Sequence, residues 1–229
     1  MEYAILFLPL IGSLIGYLGR STTKYFAEIS TSLFVSISAV LSILVFLNGI
    51  QNDSYGNYKI FEWISSGGFT ANWSIKIDPL SSIMLVVVTF VSALVHIYSI
   101  GYMSHDPHKP RFMSYLSLFT FSMLALVVSD NFLQLFFGWE GVGLCSYLLI
   151  GFWYKKETAN NAAIKAFIVN RIGDFGLAIA IFLIFFFFGT INFEETFQAT
   201  SQFAEKKIIF FGFEANLITL ICVFLFIGA

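Results

Sequence analysis

The chain has 229 residues, 58% of them hydrophobic and 11% charged, with a mean hydropathy of +0.82. Soluble domains carry roughly 25% charged residues, so this composition belongs to a protein embedded in a lipid bilayer. The formal net charge of −2 excludes a polybasic nucleic-acid binder, and no nucleic acid is expected as a partner.

A membrane span needs about 20 apolar residues, and the chain supplies such runs repeatedly. The first, Tyr3 to Leu18, lacks a basic n-region and a small-x-small cleavage site, so it reads as a retained helix over 3–19. Within it Gly12 and Gly16 form a GxxxG, a pattern of close helix packing. The second helix is predicted over 27–48. Residues 58–64, YKIFEWI, and 69–77, FTANWSIKI, then flank SSGG, and this alternation around glycine predicts a β-hairpin outside the membrane within 52–77. Asp78-Pro79 supplies an N-cap and a first-turn proline for a third helix over 79–102. His96 lies in its second half, where a lone histidine reads as a satisfied packing residue. The loop MSHDPHKPR that follows holds His105, His108 and Asp106, too small a set for a metal site.

Helices are next expected over 112–130, 132–154 and 161–188. The fifth contains Glu140, the one charge in FFGWEGVGLCSYLLIGFW, about 14 Å of helix rise from the membrane edge. Burying an ionised carboxylate in hydrocarbon costs a few kcal/mol or more, so ionisable groups there mark ion or proton paths. Desolvation draws such a carboxyl toward its neutral form and a nearby cation draws it toward the charged one. A group balanced between the two can load and release a proton. The sixth helix repeats the theme in AAIKAFIVNRIGDFGLAIAIF. Asp174 lies deep in it, and Arg171, three residues earlier, shares its face and can pair with it. Lys165 is nearer the charged loop and reads equally as a membrane-edge anchor or a functional group. Asn192 with Glu195 suggests a capping box for a short interfacial helix, with Phe193, Phe197 and Phe203 laid on the membrane. The run from Leu217 is still apolar at Ala229. Those residues rise only about 20 Å, so the chain is expected to end in mid-helix as a fragment of a longer protein.

Cys145 and Cys222 lie in separate apolar runs and read as small buried hydrophobes. No nucleotide-binding, iron–sulfur or haem motif is present, so no cofactor is expected in this chain. Arg20, Lys24, Lys109, Arg111, Lys155 and Lys156 fall in the first, third and fifth connections, against Lys59, Lys76, Lys206 and Lys207 in the second and sixth. This bias predicts an N-terminus on the outer side.

GWEGVGLCSYLLIGFW (138–153), KAFIVNRIGDFG (165–176), DPLSSIML (78–85) and HIYSIGYM (96–103) closely resemble subunit 5, or chain L, of respiratory complex I, the proton-pumping NADH:quinone oxidoreductase. The resemblance implies an all-α bundle of the antiporter-like inverted-repeat type, with helices broken in the membrane. It divides the chain into N-terminal helices (1–110) and the first part of a proton-translocating repeat (111–229). It implies that Glu140 is the family's key glutamate, Asp174 an acid of the same path, and Glu140's partner a lysine just past Ala229. NADH, FMN, iron–sulfur clusters and quinone would belong to partner subunits, among them a sister antiporter-like subunit. The setting would be a bacterial inner or mitochondrial inner membrane, the N-terminus on the periplasmic or intermembrane side. The alternative is the large subunit of an Mrp-type monovalent cation/proton antiporter, which shares this fold.

Overall fold

The computed structural model describes residues 1–19, 25–210 and 212–228. The predicted cations Arg20 and Lys24 lie outside the described residues. The elements in order are α1 (Glu2–Leu18), α2 (Phe26–Asn52), β1 (Gly56–Ser66), β2 (Phe69–Ile77), α3 (Pro79–Tyr102), α4 (Lys109–Val127), α5 (Phe132–Ile150), α6 (Glu157–Phe188), α7 (Phe193–Ala199), β3 (Lys207–Phe210), β4 (Phe213–Asn216) and α8 (Leu217–Gly228). Among the described residues, five helices, α2 to α6, are long and apolar enough to cross a membrane, and α1 and α8 are shorter apolar helices. Large apolar side chains such as Leu33, Val40, Val91, Ile97, Ile168 and Phe182 face outward, as lipid requires. The chain is a multi-pass membrane protein with a small extramembrane hairpin.

Lipid tails are as apolar as leucine, so the helices are held together by close backbone approach and interhelical hydrogen bonds rather than by hydrophobic burial. Three hydrogen bonds that join α1 to α2 and α4 show how. Pro9 has no N–H, so the carbonyl of Ile5 loses its helical donor; Ser38 of α2 supplies one through Oγ at 2.7 Å. Ser117 of α4 donates to the Pro9 carbonyl at 2.8 Å and Ser13 of α1 donates to the Ser114 carbonyl at 2.8 Å. Each such bond contributes about 0.6 kcal/mol in a membrane. The Gly12 and Gly16 pair lies where α1 meets α2 and α4: a Cβ on Gly16 would come within 2.8 Å of Thr31 Cγ2 and 3.1 Å of Ser114 Oγ.

The hairpin forms as the alternation predicts, β1 antiparallel to β2, with the turn confined to Gly67 and Gly68. Gly67 takes φ 59, the positive first position of a II′-like hairpin turn. Ile75 and Ile77 of β2 enter one apolar core with Leu6, Leu85, Phe121 and Leu124. A second core gathers Phe132, Leu177, Ile181, Ile184, Leu217 and Ile221 from α5, α6 and α8. The Asp78 cap is a full capping box, Asp78 Oδ1 accepting from the Ser81 N–H and Ser81 Oγ accepting from the Asp78 N–H, both at 2.7 Å.

Several expectations are corrected. The Asn192 box is half formed. Asn192 Oδ1 accepts from the Glu194 and Glu195 N–H groups, but Glu195 takes the Thr190 hydroxyl, and it is Thr190 Oγ1 that accepts from the Asn192 N–H. Of the three interfacial phenylalanines, Phe193 packs edge-on to Phe132 and Phe203 packs on Phe188; only Phe197 is exposed. Cys145 is buried, whereas Cys222 faces outward. The β3–β4 hairpin, with Gly212 at φ 84, stands where no strand was predicted. Lys109 is no loop cation. It opens α4 and is buried in an ion pair with Glu28 of α2, itself 1% exposed.

Candidate functional site

α5 begins at Asn131, whose side-chain oxygen accepts from the Gln134 N–H at 2.9 Å, and it runs back along α4. Gly138 permits this contact: a Cβ there would sit 2.6 Å from the Leu126 backbone nitrogen. Gly141 does the same against Ser122, at 2.8 Å from its Oγ. The tight α4–α5 seam fixes the rotation of α5, and Glu140, ninth of its nineteen residues, is turned toward α6. α6 is in turn clamped on α8 through glycine. A Cβ on Gly176 would meet Ile227 Cγ2 at 2.8 Å and the Phe224 carbonyl at 3.2 Å, and one on Gly228 would meet the Leu177 nitrogen at 3.0 Å. Asp174 lies between Gly173 and Gly176 on that clamped segment and is buried.

Three predicted residues come together. Arg171 Nη1 donates to both oxygens of Glu140, at 2.5 and 2.7 Å, and lies 3.5 Å from Asp174 Oδ2. The Arg171 side chain is half exposed, Glu140 a quarter exposed and Asp174 8% exposed. Arg171 also lies over the Phe167 ring, 4.8 Å from its centroid. Around them is a cleft of about 100 Å³ that Trp139, Gly143, Ser146 and Asn170 help to line. A water needs roughly 10–15 Å³ of such space and two or more polar partners, so the cleft has room for several. Lys165 stands apart: it is exposed, outside the cleft, and makes no ion pair among the described residues.

The sequence pointed to Glu140 and Asp174 as charges within apolar runs and to Arg171 as the i, i+3 partner of Asp174. The Arg171–Glu140 pair crosses from one helix to the next, and no spacing within either helix encodes it. Two carboxyl groups thus share one guanidinium, so the cluster holds one more acid than base.

Residues 63–113 match the family model described as NADH-ubiquinone oxidoreductase (complex I), chain 5 N-terminus, and residues 129–229 match the one described as NADH:quinone oxidoreductase/Mrp antiporter, TM. Over its whole length the chain is 52% identical to NADH-ubiquinone oxidoreductase chain 5 of Triticum aestivum, and over 98% of it 50% identical to NADH-quinone oxidoreductase subunit L of Rickettsia bellii. The chain belongs to the complex I chain 5/subunit L family. It spans about a third of the length of these curated relatives, 34% and 35%. Among solved structures, it resembles a chain of the Mrp complex from Dietzia sp. with a TM-score of 0.79 at 21% identity, over 99% of this chain and 23% of that one. It also resembles a chain of an archaeal respiratory complex, the membrane-bound sulfane sulfur reductase, with a TM-score of 0.76 at 18% identity, over 98% and 32%. At these identities the likeness concerns the fold alone.

Proposed function

We propose that this chain is part of a membrane-arm, antiporter-like subunit that translocates protons, coupled to electron transfer from NADH to quinone in partner subunits. The observation that carries the reading is Arg171 holding Glu140 and Asp174 in one cleft with room for several waters, midway along α5 and α6. Glu140 is the proton-exchanging acid in this reading. Arg171 offsets its charge when the proton is away, and Asp174 is the second acid that shares it. Lys165, about 9 Å of helix rise before Arg171, serves as a membrane-edge anchor at the approach to the cluster. Residues 1–110 form the N-terminal helices with the hairpin 52–77, and 111–229 the first part of the proton-translocating repeat.

The redox groups (NADH, FMN, iron–sulfur clusters and quinone) belong to partner subunits, and a sister antiporter-like subunit adjoins this one in the membrane arm. The membrane is a bacterial inner or mitochondrial inner membrane, with the N-terminus and the β1–β2 hairpin on its periplasmic or intermembrane side. The names of the relatives favour complex I over an Mrp-type antiporter, although the family model over 129–229 covers both.

The test is Glu140→Gln in the complete complex. The amide keeps shape and hydrogen bonding to Arg171 but cannot titrate. The complex should assemble while proton uptake per electron pair, read with a pH dye in reconstituted vesicles, falls at least tenfold. Glu140→Asp, with its carboxyl about one methylene away, should lose less. Normal pumping by the Gln variant would make the glutamate a packing group. Pumping that requires sodium would favour the antiporter reading.

A further inference from the structure

The α1–α4 bundle holds a second set of buried polar groups, remote from the Glu140 cluster. His96 is 0% exposed. Its Nδ1 lies 2.8 Å from the Ser92 carbonyl oxygen. A carbonyl only accepts, so Nδ1 carries the proton and the neutral ring presents a bare Nε2. That Nε2 is buried without a hydrogen-bond partner among the described residues. A packing histidine is expected to have both nitrogens satisfied, and this one does not. On its Nδ1 side, Ser92 Oγ stands 3.3 Å from the ring nitrogen and 2.5 Å from Thr120 Oγ1 of α4.

The register of α2 against α3 says what lies on the other side. Ser42 and Thr89 hydroxyls meet at 2.7 Å, and Val35, Ala39 and Ala93 pack together. Continuing that antiparallel register puts His96 level with Val35 and about one turn from Ser32, whose hydroxyl is also buried and unpartnered. One turn further along α2 is Glu28, ion-paired with Lys109 at the start of α4. The charged groups on the elements packed against α3 are therefore Glu28 on α2, Lys109 and Arg111 on α4, and Lys76 on β2; α3 itself carries none. Arg111 is turned to the Phe152 carbonyl, and Lys76 is at the hairpin end.

We propose that His96 is a second proton-binding group of this chain, taking up a proton on Nε2 from the Glu28–Lys109 side and giving it back by the same nitrogen, while Nδ1 keeps its proton on the Ser92 carbonyl. The Nε2–H bond forms as the proton arrives, giving the imidazolium, and breaks as it leaves, so the ring returns to the same neutral tautomer. The inference rests on the proton-translocation reading above and extends it to a second site in the same chain.

Two substitutions of His96 in the complete complex, reconstituted in vesicles, separate titration from packing. His96→Asn keeps an N–H donor for the Ser92 carbonyl but has no titratable nitrogen. His96→Glu loses the imidazole shape but keeps a titratable group in the same place. With intact complex quantified in each, proton uptake per electron pair should fall at least threefold in the Asn variant. The Glu variant should retain at least twice what the Asn variant does. A packing role predicts the opposite order. Normal pumping by His96→Asn, or a Glu variant no better than Asn, overturns the proposal. Glu140→Gln assayed alongside keeps the two readings distinct. If it pumps normally while His96→Asn does not, the Glu140 reading fails and this one stands. The reverse result leaves Glu140 in place and removes His96.

Discussion

Glu28 and Lys109 show how little a residue's sequence neighbourhood says about its burial in a membrane protein. Each lies in the first turn of a helix, where a charge ordinarily reaches water, yet both are buried, and Tyr25 lies beneath the Lys109 ammonium at 4.6 Å. Taking two charges out of water costs several kcal/mol per ion, and their attraction repays this only while both are present. Removing one partner leaves an uncompensated buried charge, at about 3–5 kcal/mol. Lys109→Met alone should therefore destabilise the subunit by about that amount, whereas Glu28→Leu combined with Lys109→Met should recover most of it. Thermal denaturation of the purified complex, followed by loss of this subunit, measures both. A double variant as unstable as the single one would mean that the pair contributes more than its mutual neutralisation.

Among the elements, the hairpin is tied to α5 by side chains that bond its backbone. Gln134 of α5, fully buried, accepts from the Ser74 N–H at 3.0 Å and donates to the Ser74 carbonyl at 2.7 Å, behaving as one residue of a third strand beside β2. Asn131 adds a bond from Nδ2 to the Asn72 carbonyl at 2.8 Å. Gln134→Leu should leave two buried backbone groups unpaired, at about 1–3 kcal/mol each. It should loosen the hairpin without unfolding the bundle, read as faster proteolytic cleavage within 56–77 at unchanged helix content. Cleavage at the normal rate would show that Trp63, Trp73 and Phe137, packed at 4.8–5.6 Å, suffice to hold it.

The hairpin was legible because YKIFEWI and FTANWSIKI alternate over enough residues to declare a period. The β3–β4 strands are four residues each and merge with the apolar run from Leu217, so a short apolar run there carries no period to read. Glu140 and Asp174 were legible for the opposite reason: a charge in an apolar helix stands out whatever the helix packs against. The Arg171–Glu140 bridge was not legible, because it depends on how far α5 is rotated. Contacts of Gly138 and Gly141 with α4, residues distant in sequence, set that rotation. His96 was read as satisfied because a sequence does not reveal which nitrogen finds a partner.

At the scale of the whole molecule, the connections sort to two ends. At one, the Trp153 indole donates to Asp106 Oδ2 at 2.9 Å and Arg111 donates to the Phe152 carbonyl at 3.0 Å, joining the loops after α3 and α5. At the other, the Lys76 N–H donates to the Val128 carbonyl, Asn131 bridges Asn192, and Asn192 Nδ2 donates to Asp130, gathering the hairpin with the loops after α4 and α6. Lys155 and Lys156 belong to the first end, and positive loop charge is retained on the cytoplasmic or matrix side. Among the described residues, with Lys109 drawn into the protein and Arg111 held against Phe152 and Tyr154, the exposed lysines at that end are Lys155 and Lys156. The exposed positions Ser66, at the hairpin tip, and Lys156 should accordingly label from opposite sides. In sealed vesicles of known orientation, with Cys145 and Cys222 replaced by alanine, Ser66→Cys should react with an impermeant maleimide only from the periplasmic or intermembrane side, and Lys156→Cys only from the other. Labelling of both from one face would contradict the helix count between them, and a clean exchange of faces would invert the orientation while leaving the fold intact.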